Sequence, residues 1–320
     1  MTNNFTSIIV DIPHRISGFF EIVDQIDGIN IEDPEKIGST GAGFNLNAFG
    51  RTKIILAENK SYQKNECSIF INGKEFNEKA ETTFFIFKYI EKYIKNPVRI
   101  SIFHDFDLPV GCGYGASGSG ALGTIIGLNF LLKLKLTKKD IGRIAHISEV
   151  INRTGLGTVC GQLCGGLCIL KEPGYPCKTE RINLPKGLKV ICGSLGMIHT
   201  KSILNSEILN NRIKKAGRNA LKKILADKNI YTFMKSSIDF VKETDILNIL
   251  NLTKINELLD HLNKSGIIGA SMNQLGRSVF AICKTKDVKK TNDIFETYKP
   301  EIKIFNLEID ENKLTILENS

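Results

Sequence analysis

The amino-acid sequence predicts an α+β fold in two domains, and three observations carry that prediction. The first half alternates short apolar runs with glycine turns. A loop holding six glycines between residues 109 and 123 leads directly into an apolar helix. The chain then ends in a strand, a helix and a strand.

In chain order, residues 5–12, 53–57, 67–71 and 98–103 are rich in Ile and Val and read as strands. Residues 78–95 place Phe84, Phe87, Ile90 and Ile94 at helical spacing and stop before Pro97, so a helix is expected there. Helices follow at 120–135 and 138–151, the second capped by Thr137, and a returning strand at 165–170. Pro173, Gly174, Pro176 and Pro185-Lys-Gly187 then punctuate the chain, which places the boundary between a domain of residues 1–184 and one of 185–320. In the second, 189–195 is a strand, a largely helical stretch runs to 262, and 278–283, 287–298 and 303–307 form the β-α-β ending, an open α+β sandwich.

A chain of 320 residues can bury two cores, and 42% hydrophobic with 24% charged residues are globular values. No apolar run reaches 18 residues and no charged-then-apolar leader opens the chain, so neither a membrane span nor an export signal is expected, and the location is expected to be cytoplasmic. The formal charge of +9 favours anionic partners without choosing among them. The most basic segment, Arg212 to Lys223, puts Lys214, Arg218 and Lys222 on one helical face; it reads as a solvated face, with no interleaved aromatics for base stacking. Nucleic acid and membrane are therefore not expected partners. Eight cysteines do not make a disulfide scaffold in a chain this long, and Cys160, Cys164 and Cys168, interleaved with glycines and lacking a C-x-x-C pair, read as small buried apolar residues.

The glycine loop carries the chemistry. Six glycines so close together suit backbone that turns sharply or meets a ligand without an intervening Cβ, and a helix N-terminus just beyond adds free N–H groups and the positive end of the macrodipole. Phosphate is the expected guest. Gly113-Tyr-Gly-Ala-Ser-Gly118 fits G-x-G-x-x-G, but the acidic residue of a dinucleotide fold is missing: Asp140 opens a helical stretch instead. The loop also lacks the Gly-Lys-Ser/Thr of a Walker motif and the V-A-I-K and H-R-D partners of protein kinases.

What remains, Pro-x-x-x-Gly-x-Gly-x-Ser-Gly before a helix, resembles the phosphate loop of the GHMP kinases, the family of galactokinase, homoserine kinase and mevalonate kinase, whose usual form is P-x-x-x-G-L-G-S-S-A. Tyr114, Ala116 and Gly118 depart from that form. Pro13-His-Arg-Ile-Ser-Gly-Phe-Phe20 and the turn from Gly269 to Ile282 fill the places of the family's first and third signature regions. Ser-Gly-Phe-Phe20, Gly38-Ser-Thr-Gly-Ala-Gly43, Thr154-Gly-Leu-Gly157 and Leu275-Gly-Arg-Ser-Val-Phe-Ala281 are similar to the archaeal pantoate kinases within that family.

The resemblance implies the GHMP two-domain fold, an N-terminal domain like ribosomal protein S5 and a ferredoxin-like C-terminal domain, with the active site between them. It implies a kinase using ATP and Mg²⁺ on the hydroxyl of a hydroxy acid, most simply pantoate on the way to coenzyme A; a homodimer is left open. Pro109, Gly111, Gly113, Gly115, Ala116, Ser117, Gly118, Ser119 and Gly120 would cradle the nucleotide phosphates. Ser117 and Glu149 match the family's magnesium pair, and a carboxylate at the C-terminal end of a helix, where it opposes the macrodipole, makes better sense beside a cation. His14, Arg15, Ser17, Gly41, Arg153 and Arg277 are the expected acceptor contacts, arginine being suited to grip a carboxylate.

Two departures bear on the acceptor. Thr158 stands where the family places a catalytic aspartate, and no carboxylate occurs between Glu149 and Glu172; a threonine orients a hydroxyl but does not take its proton at neutral pH. The arginine expected soon after Gly165-Gly166 is also missing, Lys171 being nearest. A relative with another acceptor, such as a mevalonate 3-phosphate 5-kinase, and a non-catalytic nucleotide or metabolite sensor are therefore the alternative readings.

Overall fold

Two long antiparallel strands, β1 (Asn4–Val23) and β4 (Gly38–Glu58), form the spine of the first half. The computed structural model describes residues 4–59, 61–198, 207–274 and 276–315; Leu275 of the third sequence motif and 199–206 of the predicted helical stretch lie outside them. β1 runs well past the expected residues 5–12 because its pairing with β4 shifts register between Pro13 and Arg15 and again between Ser17 and Phe19. The first shift accommodates a proline, which has no N–H to give a regular ladder.

A short hairpin, β2 (Gln25–Ile26) and β3 (Ile29–Asn30), joins the two long strands. Around them lie β5 (Glu66–Ile71), β6 (Lys74–Glu75), β7 (Val98–Phe106), β8 (Leu167–Leu170) and β9 (Thr179–Arg181). The sheet order is β6-β5-β7-β4-β8-β9 with β1 also on β4, and only β5 and β7 run parallel. Helices α1 (Glu81–Glu91), α2 (Ala116–Leu132) and α3 (Lys138–Asn152) build a core with the sheet around Ile12, Ile54, Leu56, Ile102, Leu122 and Ile125. α2 is apolar on nearly every side, as a central helix must be. It lies directly on β4: a Cβ at Gly123 would come within 2.3 Å of the Thr52 hydroxyl. It begins four residues before the expected 120 because tertiary packing overrides the weak helix propensity of its glycines.

A short helix, α4 (Thr158–Cys164), follows α3. It turns Cys160 toward the segment after β8, where it forms a disulfide with Cys177 across a Cα–Cα distance of 5.5 Å. The expectation that Cys160 is simply a buried thiol is thereby corrected; Cys164 and Cys168 remain buried free thiols, and no group of three metal-ligating side chains occurs among the described residues.

From Leu188 onward the strands β10 (Leu188–Ser194), β11 (Gly269–Met272), β12 (Ser278–Lys284) and β13 (Lys303–Leu307) form a second antiparallel sheet in the order β11-β12-β10-β13. That is the ferredoxin-like arrangement of a β-α-β-β-α-β unit. Its helices are α5 (Glu207–Ala226), α6 (Ile230–Thr244), α7 (Ile246–Ile249), α8 (Thr253–Lys264) and α9 (Val288–Glu296). Asn229 caps α6 by accepting from the N–H groups of Tyr231 and Thr232.

One apolar cluster spans both halves: Ile16, Phe19 and Phe44 of the first sheet pack with Phe233 of α6 and Phe280 of β12. α5 lies so close on β1 that a Cβ at Gly217 would sit 2.2 Å from the Phe20 carbonyl oxygen. Its basic face is not merely solvated, because Arg218 pairs with Glu21 at 2.9 Å and Lys214 with Asp24 at 2.6 Å, holding the helix to the end of β1.

Candidate active site

The loop between β7 and α2 takes three left-handed glycines, at Gly111, Gly113 and Gly115, with φ of 75°, 84° and 68°. Gly115 is the N-cap of α2, and the first intrahelical hydrogen bond runs from the Ser119 N–H to its carbonyl at 3.1 Å. The N–H groups of Ala116, Ser117 and Gly118 thus have no acceptor inside the helix. Ala116 and Ser117 line a cavity of about 420 Å³ bounded by this loop, the middle of β1, the start of β4, residues 153–158 and the 71–83 segment. Among the described residues three cations, Arg15, Lys79 and Arg153, stand in its wall against one carboxylate, Glu81. Its apolar lining includes Ile71, Phe76 and Phe106. A positive wall, free helical N–H groups and an apolar recess suit an anionic ligand with an aromatic part.

Ser117, in the first turn of α2, donates its hydroxyl hydrogen to Glu149 Oε1 at 2.6 Å. Glu149 is 1% exposed, near the end of α3, and burial raises its pKa to about 7 against the opposing effect of hydrogen bonds from Ser117 and the Val159 N–H. Gly155 closes over it so tightly that a Cβ there would lie 2.5 Å from Oε1. The paired hydroxyl and carboxylate, behind the first turn of α2, form an oxygen donor set that fits a hard divalent cation.

Not every residue expected at the site reaches the cavity. Gly111, Gly113, Gly115, Ala116, Ser117 and Gly120 of the loop line it, whereas Pro109, Gly118 and Ser119 do not. Ser119 is fully buried, with its hydroxyl 3.2 Å from the Gly115 carbonyl. Ser17, Gly41, Arg153 and Thr158 line the cavity. Arg15 also does, but its guanidinium is lodged beneath α4, against Gly161, and donates to Asn45 Oδ1 at 3.3 Å. His14 is no acceptor contact: completely buried under the loop, it bonds through Nδ1 to the Tyr114 carbonyl at 2.9 Å. Register explains the exchange, since successive strand residues face opposite ways and the shift after Pro13 turns His14 inward. Arg277 is exposed at the start of the β12 segment and lies outside the cavity wall, so it is not brought to the site.

Other wall residues carry no motif in the sequence. Lys79, Thr83, His104 and Phe106 come from a 3₁₀ turn, α1 and β7, and only the packing of α1 beside α2 brings them to the loop. His104 bridges Thr52 and Thr83 through its two ring nitrogens at 3.0 and 2.9 Å, and burial lowers its pKa to about 4, so it is neutral. Thr158 presents its methyl group to the loop, 2.8 Å from where a Cβ of Gly115 would be. Gln274, in the third sequence motif, reaches back to β1, donating to the Gly18 carbonyl at 3.0 Å, and so ties the second sheet to the site.

Comparison with known proteins agrees with this geometry. Residues 81–166 match the model of the GHMP kinases N terminal domain. The pantoate kinase of Methanocaldococcus jannaschii is 30% identical over 286 residues, covering 89% of this chain and 96% of that one. The chain belongs to the pantoate kinase family. A second member, the pantoate kinase of Thermococcus kodakarensis, is 29% identical over 88% of this chain and 90% of its own. A solved structure described as a phosphotransferase related to the CoA biosynthesis pathway superposes with a TM-score of 0.80 at 27% identity, covering 96% of this chain and 97% of that one. Membership of the pantoate kinase family extends over both sheets of the fold, and no helix among the described residues is long and apolar enough to cross a membrane.

Proposed function

We propose that the protein is a kinase that transfers the γ-phosphoryl group of ATP to the primary hydroxyl of pantoate, giving 4-phosphopantoate and ADP. The observation that carries the reading is the first turn of α2, whose Ala116 and Ser117 line a positive cavity with Glu149 hydrogen-bonded behind Ser117, in a chain that covers 96% of a pantoate kinase. The N–H groups of Ala116 and Ser117 bind phosphate oxygens, and the recess of Ile71, Phe76 and Phe106 takes the base. Arg153, at the cavity rim, grips the acceptor carboxylate at the end away from the reacting hydroxyl. Thr158 orients that hydroxyl. Mg²⁺, when bound, neutralises charge on the β- and γ-phosphates, and Ser117 and Glu149 are the residues that would hold it.

In the transfer the acceptor oxygen forms a bond to the γ-phosphorus while the bond to the β,γ-bridging oxygen breaks, and the hydroxyl proton is released. Positioning and charge stabilisation supply most of the rate in such a reaction, which suits a site with threonine in the aspartate's place. The test is ADP release coupled to a reporter enzyme, with pantoate, mevalonate 3-phosphate, mevalonate and homoserine offered in turn. Turnover is expected with pantoate and a phosphorylated product by mass spectrometry. Turnover with mevalonate 3-phosphate in its place, or ATP binding without turnover of any acceptor, overturns the proposal.

A further inference from the structure

The carbonyls of two successive loop residues are held from beneath by two buried side chains, His14 and Gln162. The Tyr114 carbonyl accepts from the Arg15 N–H at 3.0 Å and from His14 Nδ1 at 2.9 Å. The next carbonyl, of Gly115, accepts from the Ser119 N–H at 3.1 Å and from Gln162 Nε2, on α4, at 3.1 Å. We propose that His14 and Gln162 are positioning residues which aim the N–H groups of Gly115 and Ala116 at the nucleotide phosphates. The proposal rests on the reading that this cavity binds nucleotide.

Neither bond following these carbonyls is cis, and in a planar trans peptide the N–H points opposite to the C=O. Fixing the Tyr114 carbonyl toward His14 therefore directs the Gly115 N–H the other way, and fixing the Gly115 carbonyl toward Gln162 does the same for Ala116. Gly115 and Ala116 line the cavity, while His14 and Gln162 are fully buried and do not. A left-handed Gly115 followed by a helical Ala116 is also the backbone sequence of an anion-binding nest.

Both side chains have their donors fixed. The Leu108 N–H donates to His14 Nε2 at 3.4 Å, so the ring proton belongs on Nδ1, and burial lowers the pKa of this histidine and keeps it neutral. The Gln162 amide nitrogen also lies 3.0 Å from the Pro13 carbonyl and 2.9 Å from the Ser119 hydroxyl. Two carbonyl oxygens beside it demand a donor, which decides the orientation of the carboxamide. Its oxygen then faces Gly118, where a Cβ would come within 2.6 Å. Gly118 stands where the GHMP loop usually carries alanine, and in this chain Gln162 occupies the space of that methyl.

The test compares ligands with and without phosphate. Gln162→Met keeps the volume and removes the donor; His14→Leu removes the other, and His14→Asn restores an amide nitrogen near the Nδ1 position. Binding of ATP is measured by calorimetry, and adenosine by ligand-observed NMR, without acceptor. ATP affinity is expected to fall at least tenfold in Gln162→Met and His14→Leu and to recover in His14→Asn, with adenosine affinity unchanged within twofold. Equal losses for ATP and adenosine, or no loss for ATP, overturn the proposal. Gly118→Ala, which displaces the carboxamide without removing it, is expected to give the same split and serves if the other variants do not fold. Failure of pantoate turnover in the wild type, with the ATP split intact, would refute the proposed reaction and leave the positioning role standing.

Discussion

Gly155→Ala tests the role of Glu149 without touching a catalytic side chain. An alanine Cβ at this position would lie 2.5 Å from Oε1, 2.7 Å from Cδ and 2.7 Å from Oε2 of Glu149, so the whole carboxylate is in its way. Ordinary contact begins near 3.4 Å, so the carboxylate must retreat by roughly 0.8 Å, in a residue 1% exposed and held by Ser117 at 2.6 Å. Oxygen ligands to Mg²⁺ sit at about 2.0–2.1 Å with a tolerance near 0.2 Å, so the retreat is about four times what a shared metal allows. Displacements of about 1 Å in a reacting assembly cost on the order of 100-fold. Turnover of Gly155→Ala is therefore expected to fall about 30- to 100-fold, with half-saturation by Mg²⁺ shifted upward in an ADP-release assay.

Stability should change much less. Overpacking costs about 1–3 kcal/mol, and loss of glycine freedom in the unfolded chain returns about 0.4–1 kcal/mol, so a melting point only a few degrees lower separates a local effect from unfolding. The same change at Gly120, in α2, is a control beside the same cavity, because its Cβ would make only ordinary contacts, with His104 at 3.5 Å and Phe106 at 3.7 Å. Activity within about threefold of wild type is expected there. Wild-type turnover and Mg²⁺ dependence in Gly155→Ala would refute the assignment of Glu149.

Other outcomes follow from single contacts. Ser117→Ala should lower turnover at least tenfold, through loss of the hydroxyl shared with Glu149; initial rates at saturating ATP measure it. Thr158→Val retains the methyl packed on Gly115 and Gly118 and loses the hydroxyl, so ATP affinity should hold while turnover drops; a parallel loss of ATP affinity would show that the hydroxyl serves the loop instead. Thr158→Asp should raise activity or alter acceptor preference, and a profile unchanged across the acceptor panel would make Thr158 a packing residue. His104 gives a pH signature. Its folded pKa of about 4 lies below the unfolded value of 6.5, so the unfolded chain takes up the proton first and stability present above pH 6.5 is lost as pH falls toward 4. The full difference is on the order of 3 kcal/mol, and urea titrations from pH 7 to 4 should show a smaller slope for His104→Gln than for wild type.

The backbone of the proposed phosphate site was legible in the sequence because it depends on local order. Left-handed backbone and free N–H groups come from neighbours in the chain, so Gly111 to Gly120 and the helix behind them announced an anion site without a structure. The β-α-β ending was readable for the same reason, its periodicity being internal to each element. Contacts made across the chain were not readable. Whether His14 or Arg15 faces the cavity turns on a register shift after Pro13, and one residue of slip exchanges the faces of a strand. Gln162 meets Pro13 across 149 positions, and Cys160 meets Cys177 only because α4 turns it that way. Sequence therefore determined where the glycine loop and the helix start of the proposed phosphate site lie. The tertiary structure alone decided which side chains hold that loop in shape, since their roles come from pairing and packing between elements distant in the chain.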